Sequence, residues 1–192
     1  MPLYSKQIQD YTWANKPSVA PLGQIICVTD IGENGSLWRG NGTTWKRIHQ
    51  IRFSDLSAPV ALTGTTSETT LLTVNIPASL IGASGKVKMY PLYSMTNNAN
   101  SKVLRVKLGG SVAFYAAVSN SSHSSALVII RNIGSESVQK SSTAVVSGLG
   151  NTGTALNTLA IDTSVATTIT VTGQLAVGTD TMTLEGLFVE IV

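Results

Sequence analysis

Along the last fifth of the chain, apolar residues fall at alternate positions. Leu159 and Ile161, Ile169 and Val171, Met182 and Leu184, then Leu187, Val189 and Ile191 keep this period, with one change of phase near Gly186. Thr and Ser fill most of the places between them. Alternation of β-branched with polar residues predicts strands that bury one face. Thr172-Gly173 and Val177-Gly178-Thr179-Asp180 read as turns. The alternation runs on to Val192, which predicts Thr181–Val192 as a paired core strand.

The same pattern begins near Thr66. It predicts strands at Thr70–Ile76, Lys86–Thr96, Lys102–Leu108, Val112–Val118, Ala126–Arg131, Ser142–Val146, Thr158–Ile161 and Thr167–Thr172. Gly82-Ala83-Ser84-Gly85, Asn97-Asn98-Ala99-Asn100, Ser119–Ser125 and Gly148–Gly153 separate them. Gly109-Gly110 between two alternating runs is a hairpin signal. Only Ala78–Ile81 hints at a helical turn. Eight or nine strands with turns every ten or so residues predict a jelly-roll-like antiparallel β-sandwich over residues 64–192.

The first quarter reads differently. DYTWANKPSVAPLG, with Pro17 and Pro21, is too broken for a helix and predicts an extended arm. Gln24–Thr29, Ser36–Arg39 and Thr44–Ile48 predict three short strands, with Asn34-Gly35 and Asn41-Gly42 as turns. Such a meander is marginal alone. Trp13, Trp38 and Trp45, the three Trp residues of the chain, fall here. They are the candidate anchors, either onto a partner or within the meander's own small core. The chain thus divides into an arm and meander (1–50), a connector (51–63) and a sandwich (64–192), an all-β architecture.

Composition narrows the function. The chain has 192 residues, 43% of them hydrophobic, but only 12% charged, about half the usual share. Hydroxyl and amide side chains take the missing places, which suits a self-assembling or protease-exposed β protein. The net charge of +3 is scattered. Lys102, Arg105 and Lys107 form at most a local patch, and no nucleic-acid motif accompanies them. Cys27 is the only cysteine and sits in an apolar run, where it reads as a small hydrophobe. No apolar run is long enough to span a membrane, and the N-terminus has no signal-peptide pattern, so neither membrane insertion nor secretion is expected.

Candidate chemistry is sparse. His49 and His123 lie far apart with no acidic neighbours at ligand or triad spacing. Glu185 and Glu190 lie in the last strand; a glycosidase pair is conceivable there, but paired or solvated carboxylates are the better reading. Gly148–Gly153 lacks the Lys of a phosphate loop. No catalytic residue, cofactor or metal is expected, and the chain reads as a non-enzyme. The Ser-rich stretch containing Ser121, Ser122, His123 and Ser124 reads as an exposed tip and a possible contact loop.

Two stretches resemble known modules. Residues 11–48, through Lys16-Pro17-Ser18, Val28-Thr29-Asp30, Gly35-Ser36-Leu37-Trp38 and Gly42-Thr43-Thr44-Trp45, resemble a short module of tail-fibre and other virion proteins of tailed bacteriophages. Residues 64–192 resemble a β-sandwich domain of phage structural proteins. The cues are Glu68-Thr69-Thr70-Leu71, Ile76-Pro77-Ala78, Thr96-Asn97-Asn98, Leu104-Arg105-Val106, Gly173-Gln174-Leu175-Ala176 and Glu185–Val192. The resemblance implies a homotrimeric virion component. It carries over no site residue.

Three functions follow as expectations. The first is a trimeric fibre or appendage of tail or baseplate, which docks on other virion proteins through residues 1–50 and presents the sandwich to a host-surface glycan or protein. The second is a capsid decoration protein that stabilises the shell. The third is a carbohydrate-binding or carbohydrate-cleaving sandwich, for which the domain's aromatics, Tyr90, Tyr93, Phe114, Tyr115 and Phe188, are few and include no Trp.

Overall fold

The computed structural model describes residues 8–30, 35–48, 51–54, 58–142 and 155–192. The chain separates into two compact units, Met1–Ser54 with Val192, and Asp55–Ile191. Among the described residues every regular element is a strand. His49 and Gly148–Gly153 lie outside the described residues.

The first unit holds β1 (Gln9–Tyr11), β2 (Ile25–Val28), β3 (Ser36–Gly40), β4 (Trp45–Arg47) and β5 (Ile51–Ser54). β2, β3 and β4 form the expected antiparallel meander. The arm is less irregular than its sequence suggests, because Gln9–Tyr11 pairs parallel to β2 and makes a fourth strand. Gly40 is where chain segments crowd. Its amide donates to the Gln24 carbonyl, its carbonyl accepts from Gly23, and a Cβ there would stand 2.1 Å from the Pro21 carbonyl oxygen.

The second unit is an antiparallel β-sandwich. One sheet runs β10 (Ser111–Val118), β9 (Lys102–Leu108), β15 (Thr167–Leu175), β7 (Thr69–Ile76). The other runs β14 (Asn157–Leu159), β13 (Gln139–Ser141), β12 (Val128–Asn132), β8 (Lys86–Met95), β16 (Met182–Ile191). Two short strands complete it: β6 (Val60–Leu62) pairs β16 and β11 (His123–Ser125) pairs β8. Most connections cross from one sheet to the other, as in a jelly roll. The alternating apolar side chains meet between the sheets, with Val87, Met89 and Tyr93 on β8, Leu104, Val106 and Leu108 on β9, and Leu184, Val189 and Ile191 on β16 all buried.

Details follow the sequence closely where backbone geometry demands a particular residue. Gly109 and Gly110 both take positive φ, 53° and 82°, and close the two-residue hairpin between β9 and β10. The phase change near Gly186 is a bulge between Leu184 and Gly186 that returns Leu187, Val189 and Ile191 to the core.

Four expectations need correction. Thr172-Gly173 is no turn; it lies inside β15, where Gly173 leaves room for Met182, Leu62 and Leu71 from both sheets. Part of the supposed connector is β6, in register with Met182–Leu184. Gln139–Ser141 is a strand although it has no apolar residue, and the part of Ser142–Val146 beyond Ser142 lies outside the described residues. Ala78–Ile81 is not helical: Ser79 takes a positive φ of 56° in a tight turn closed by the Leu80 amide on the Pro77 carbonyl, and Leu80 and Ile81 are buried.

One seam of the sandwich is closed by side chains. The Ser141 hydroxyl donates to the Ala113 carbonyl at 2.7 Å, and the Asn157 amide donates to the Val112 carbonyl at 2.7 Å. The carbonyls on the edge of β10 thus find donors without a further strand.

Candidate interaction surfaces

In the small unit the three Trp side chains fasten the arm to the meander. Trp38 is 6% exposed and its indole N–H donates to Ser36 Oγ at 2.7 Å. The Trp13 ring leans on it, centroids 5.1 Å apart and planes tilted by 52°. Trp45 donates to the Pro17 carbonyl at 2.6 Å. Cations flank the pair of rings: Lys16 Nζ stands 4.0 Å from the Trp13 centroid and the Arg47 guanidinium 5.8 Å from that of Trp38. Burial pushes the Arg47 pKa down. Trp38 therefore belongs to its unit's own core and offers no face to a partner. Trp13 and Trp45 are half-buried and keep part of each ring at the surface. Cys27 is half-buried too; partial burial and the Asp10 carboxylate push its thiol pKa up, so it stays a thiol at neutral pH.

The Ser-rich stretch is only partly a tip. His123, Ser124 and Ser125 pair with Ser94, Tyr93 and Leu92, and the Met95 amide donates to the Ser122 carbonyl at 2.9 Å. The correction is to the backbone, which is tied down by β8. The Ser122 and His123 side chains remain exposed, while Ser121 and Ser124 are half-buried. Ser124 also lines a narrow apolar cavity of about 10 Å³ between the sheets, with Tyr93, Met95, Leu104, Val118 and Met182. Tyr93 is 1% exposed and its hydroxyl has no hydrogen-bond partner among the described residues. A space of that size holds one water-sized group.

The basic trio at 102–107 splits between two environments. Lys102 points inward and is 1% exposed. It pairs with Asp180 at 3.2 Å, and donates to the Asn98 side chain and to the Asn100 carbonyl. Arg105 and Lys107 face outward and share Glu68, at 3.5 and 2.6 Å. The Lys107 contact, then the Thr172 hydroxyl, hold the Glu68 carboxyl below its usual range. Arg105 also donates to Gln174 at 3.1 Å and lies 5.4 Å from the Tyr115 ring, which is 42% exposed. This outer face of the β10-β9-β15-β7 sheet thus carries one aromatic ring among fixed planar polar groups.

The acidic residues of the last strand are each engaged. Glu190 pairs with Lys88 at 3.3 Å, and Glu185 accepts from the Ser94 hydroxyl. No group of three His, Cys, Asp or Glu fit to hold a metal is present among the described residues.

No family model and no curated protein matches the sequence. Among solved structures the chain is similar to the CBM36-1 domain of a multidomain xylanase from the hindgut metagenome of Trinervitermes trinervoides, at 14% identity and TM-score 0.36, covering 86% of this chain and 94% of that one. It is similar to a chain of infectious bursal disease virus, Gt strain, at 13% identity and TM-score 0.38, covering 92% of this chain and 41% of that one. A third similarity is to dimeric latent PorU from Porphyromonas gingivalis, at 10% identity and TM-score 0.34, covering 71% and 12%. The chain spans less than half the length of the latter two. Likeness this distant carries no functional argument.

Proposed function

We propose that this chain is a non-enzymatic structural component of a tailed-phage virion, a trimeric fibre or appendage protein of tail or baseplate. Its first unit docks on another virion protein, and its sandwich faces the host surface. One observation carries the reading. The motif residues that resemble the phage module, Trp38 and Trp45 in the Gly-Ser-Leu-Trp and Gly-Thr-Thr-Trp runs, are the residues that hold the small unit together. The half-buried Trp13 and Lys16 beside them are the docking surface. Gold-labelled antibody against the sandwich, applied to phage particles, tests the address. Label on tail or baseplate supports an appendage. Label spread over the head makes it a decoration protein, and unlabelled particles overturn both.

A second reading, a carbohydrate-binding sandwich, draws on the Tyr115 face. An exposed ring beside Arg105, Gln174 and Glu68 offers a stacking surface with directional hydrogen-bond groups. Tyr115→Ala abolishing retention on host polysaccharide, with an unchanged melting curve, would favour it.

A further inference from the structure

Lys102 is the one buried lysine among the described residues, and its ammonium meets more than a lone carboxylate. Its Nζ donates to the side-chain carbonyl oxygen of Asn98. Asp180 touches both partners of that contact. Its Oδ2 stands 3.2 Å from Nζ, and its Oδ1 accepts from the Asn98 amide nitrogen at 2.7 Å. The backbone N–H of Asn100 donates to the same Asn98 oxygen at 3.0 Å. Asn100 meets Nζ with its backbone carbonyl, at 2.9 Å, and turns its side-chain NH2 to Asp180. Tyr93, Met95, Leu104 and Met182 line the cavity that Lys102 also lines, so apolar side chains wall the amine off from water.

Each of these positions has a chemical meaning. A lysine amine becomes a nucleophile when it is desolvated and loses a proton to a base in contact. A carboxamide carbon accepts it when a hydrogen-bond donor waits on the oxygen, where negative charge develops. The NH2 leaves once it receives a proton, which needs an acid within hydrogen-bond reach. Lys102, Asn98, the Asn100 N–H and Asp180 fill these roles, and the fold holds them together before any reaction.

We propose that Lys102 and Asn98 join in an intramolecular isopeptide bond, formed by the folded chain itself with Asp180 as proton carrier. Nζ passes one proton to Asp180 and attacks Asn98 Cγ, and the carbonyl oxygen takes the negative charge against the Asn100 N–H. Asp180 delivers its proton to the Asn98 amide nitrogen and takes a second from Nζ. The Cγ–Nδ2 bond breaks and ammonia leaves. The new Nζ–Cγ amide keeps one hydrogen, and Asp180 ends as a neutral carboxylic acid. One amide replaces another, so no oxidant or cofactor enters. Release of ammonia into dilute solution and removal of a buried charge pair drive the step. The bonds that hold the Asp180 carboxyl below its ordinary range make the first proton transfer uphill, so the isopeptide forms slowly after folding.

The test is the intact mass of the full wild-type chain, purified and held for several days at neutral pH. The expected mass is that of the 20.1 kDa sequence less one ammonia. Trypsin should no longer cut after Lys102, so residues 89–105 appear as one peptide whose fragment ions place the loss between Asn98 and Lys102. Lys102→Arg keeps the cation without the nucleophile and should hold the full mass. Asp180→Asn should slow the loss roughly 100-fold or more. Full mass in the wild type, with normal cleavage after Lys102, overturns the bond. So does an ammonia loss that maps to another asparagine or persists in Lys102→Arg. Loss at the wild-type rate in Asp180→Asn overturns the role of Asp180. Should either variant fail to fold, the wild-type mass and peptide map decide the bond by themselves.

Discussion

The Lys102 ammonium and the Asp180 carboxylate lie 3.2 Å apart, with side chains 1% and 6% exposed, and two asparagines complete their hydrogen bonding. Asn98 and Asn100 donate to the two Asp180 oxygens at 2.7 and 3.0 Å. The cluster ties the β8–β9 connection to the β15–β16 turn, at the point where both cross between sheets. An ion pair so enclosed is stable only as a complete set, because removing one partner strands the other charge. Lys102→Met should lower the melting temperature by roughly 5 °C or more, whereas Lys107→Met, on the outer face, should move it by about 1–2 °C. Equal small shifts in thermal melts of the two variants would show that the cluster is not a keystone.

The same cluster gives stability a pH dependence. The Asn98 hydrogen bond above all, with those from Asn100 and Lys102, outweighs burial and holds the Asp180 pKa below its ordinary 3.8. A carboxyl that protonates less readily folded than unfolded contributes stability above its unfolded pKa. That contribution is lost as pH falls through the lower, folded value. Melting temperatures of the wild type should therefore drop as pH is taken below about 4. Asp180→Asn should melt lower than wild type at pH 7 and show a shallower drop in that window. Parallel curves for the two proteins would remove Asp180 from the explanation.

Tyr93 is the opposite case, a buried hydroxyl with no partner among the described residues. Burial pushes its pKa up, so it is a neutral phenol at any ordinary pH. Tyr93→Phe deletes the unmet donor and keeps the ring. It should leave stability unchanged or raise it by about 1 kcal/mol in denaturant titration. A loss of about 1 kcal/mol or more would mean that the hydroxyl is satisfied, with one bound water in the adjoining cavity as the candidate.

Gly40 tests the first unit. A Cβ there meets backbone, the carbonyl of Pro21 and the main chain of Ala20, rather than a side chain that can rotate away. Gly40→Ala should cost about 3 kcal/mol or more, seen as early loss of the Trp fluorescence transition while the sandwich melts as before. An unchanged Trp transition would show that the 20–24 segment yields freely.

How much of this was legible depended on side-chain alternation. β8, β9, β10, β15 and β16 announced themselves because one face of each is apolar and buried. β11 and β13 did not, since His123–Ser125 and Gln139–Ser141 have no apolar residue and hold their places by backbone pairing and by bonds such as Gln139 to Asn132 and Ile161. β1 was hidden because Gln9 and Asp10 pair in parallel with β2 and bury little. The Lys102 site left a signal that charge alone concealed. Lys102 shares its parity with Leu104, Val106 and Leu108, which places it on the inward face. Its partner Asp180, 78 positions later, has no such local mark. The apolar outer face of β8 was likewise written in Tyr90 and Leu92, but their exposure appears only once Val87, Met89 and Tyr93 are known to take the interior.

The two indoles in contact, Trp13 and Trp38, should respond differently to truncation. Trp38 is buried with its N–H satisfied, so Trp38→Ala should cost about 3–5 kcal/mol and unfold the small unit. Trp13 is half-buried and lends Trp38 one ring contact and Lys16 another, so Trp13→Ala should cost only about 1 kcal/mol. If Trp13 belongs to the docking surface, its removal should also reduce incorporation of the chain into phage particles several-fold while the circular dichroism melt barely shifts. Quantitative immunoblotting of purified particles against total lysate measures that fraction. Undiminished incorporation of Trp13→Ala would confine all three Trp residues to the unit's own packing and move the docking surface elsewhere.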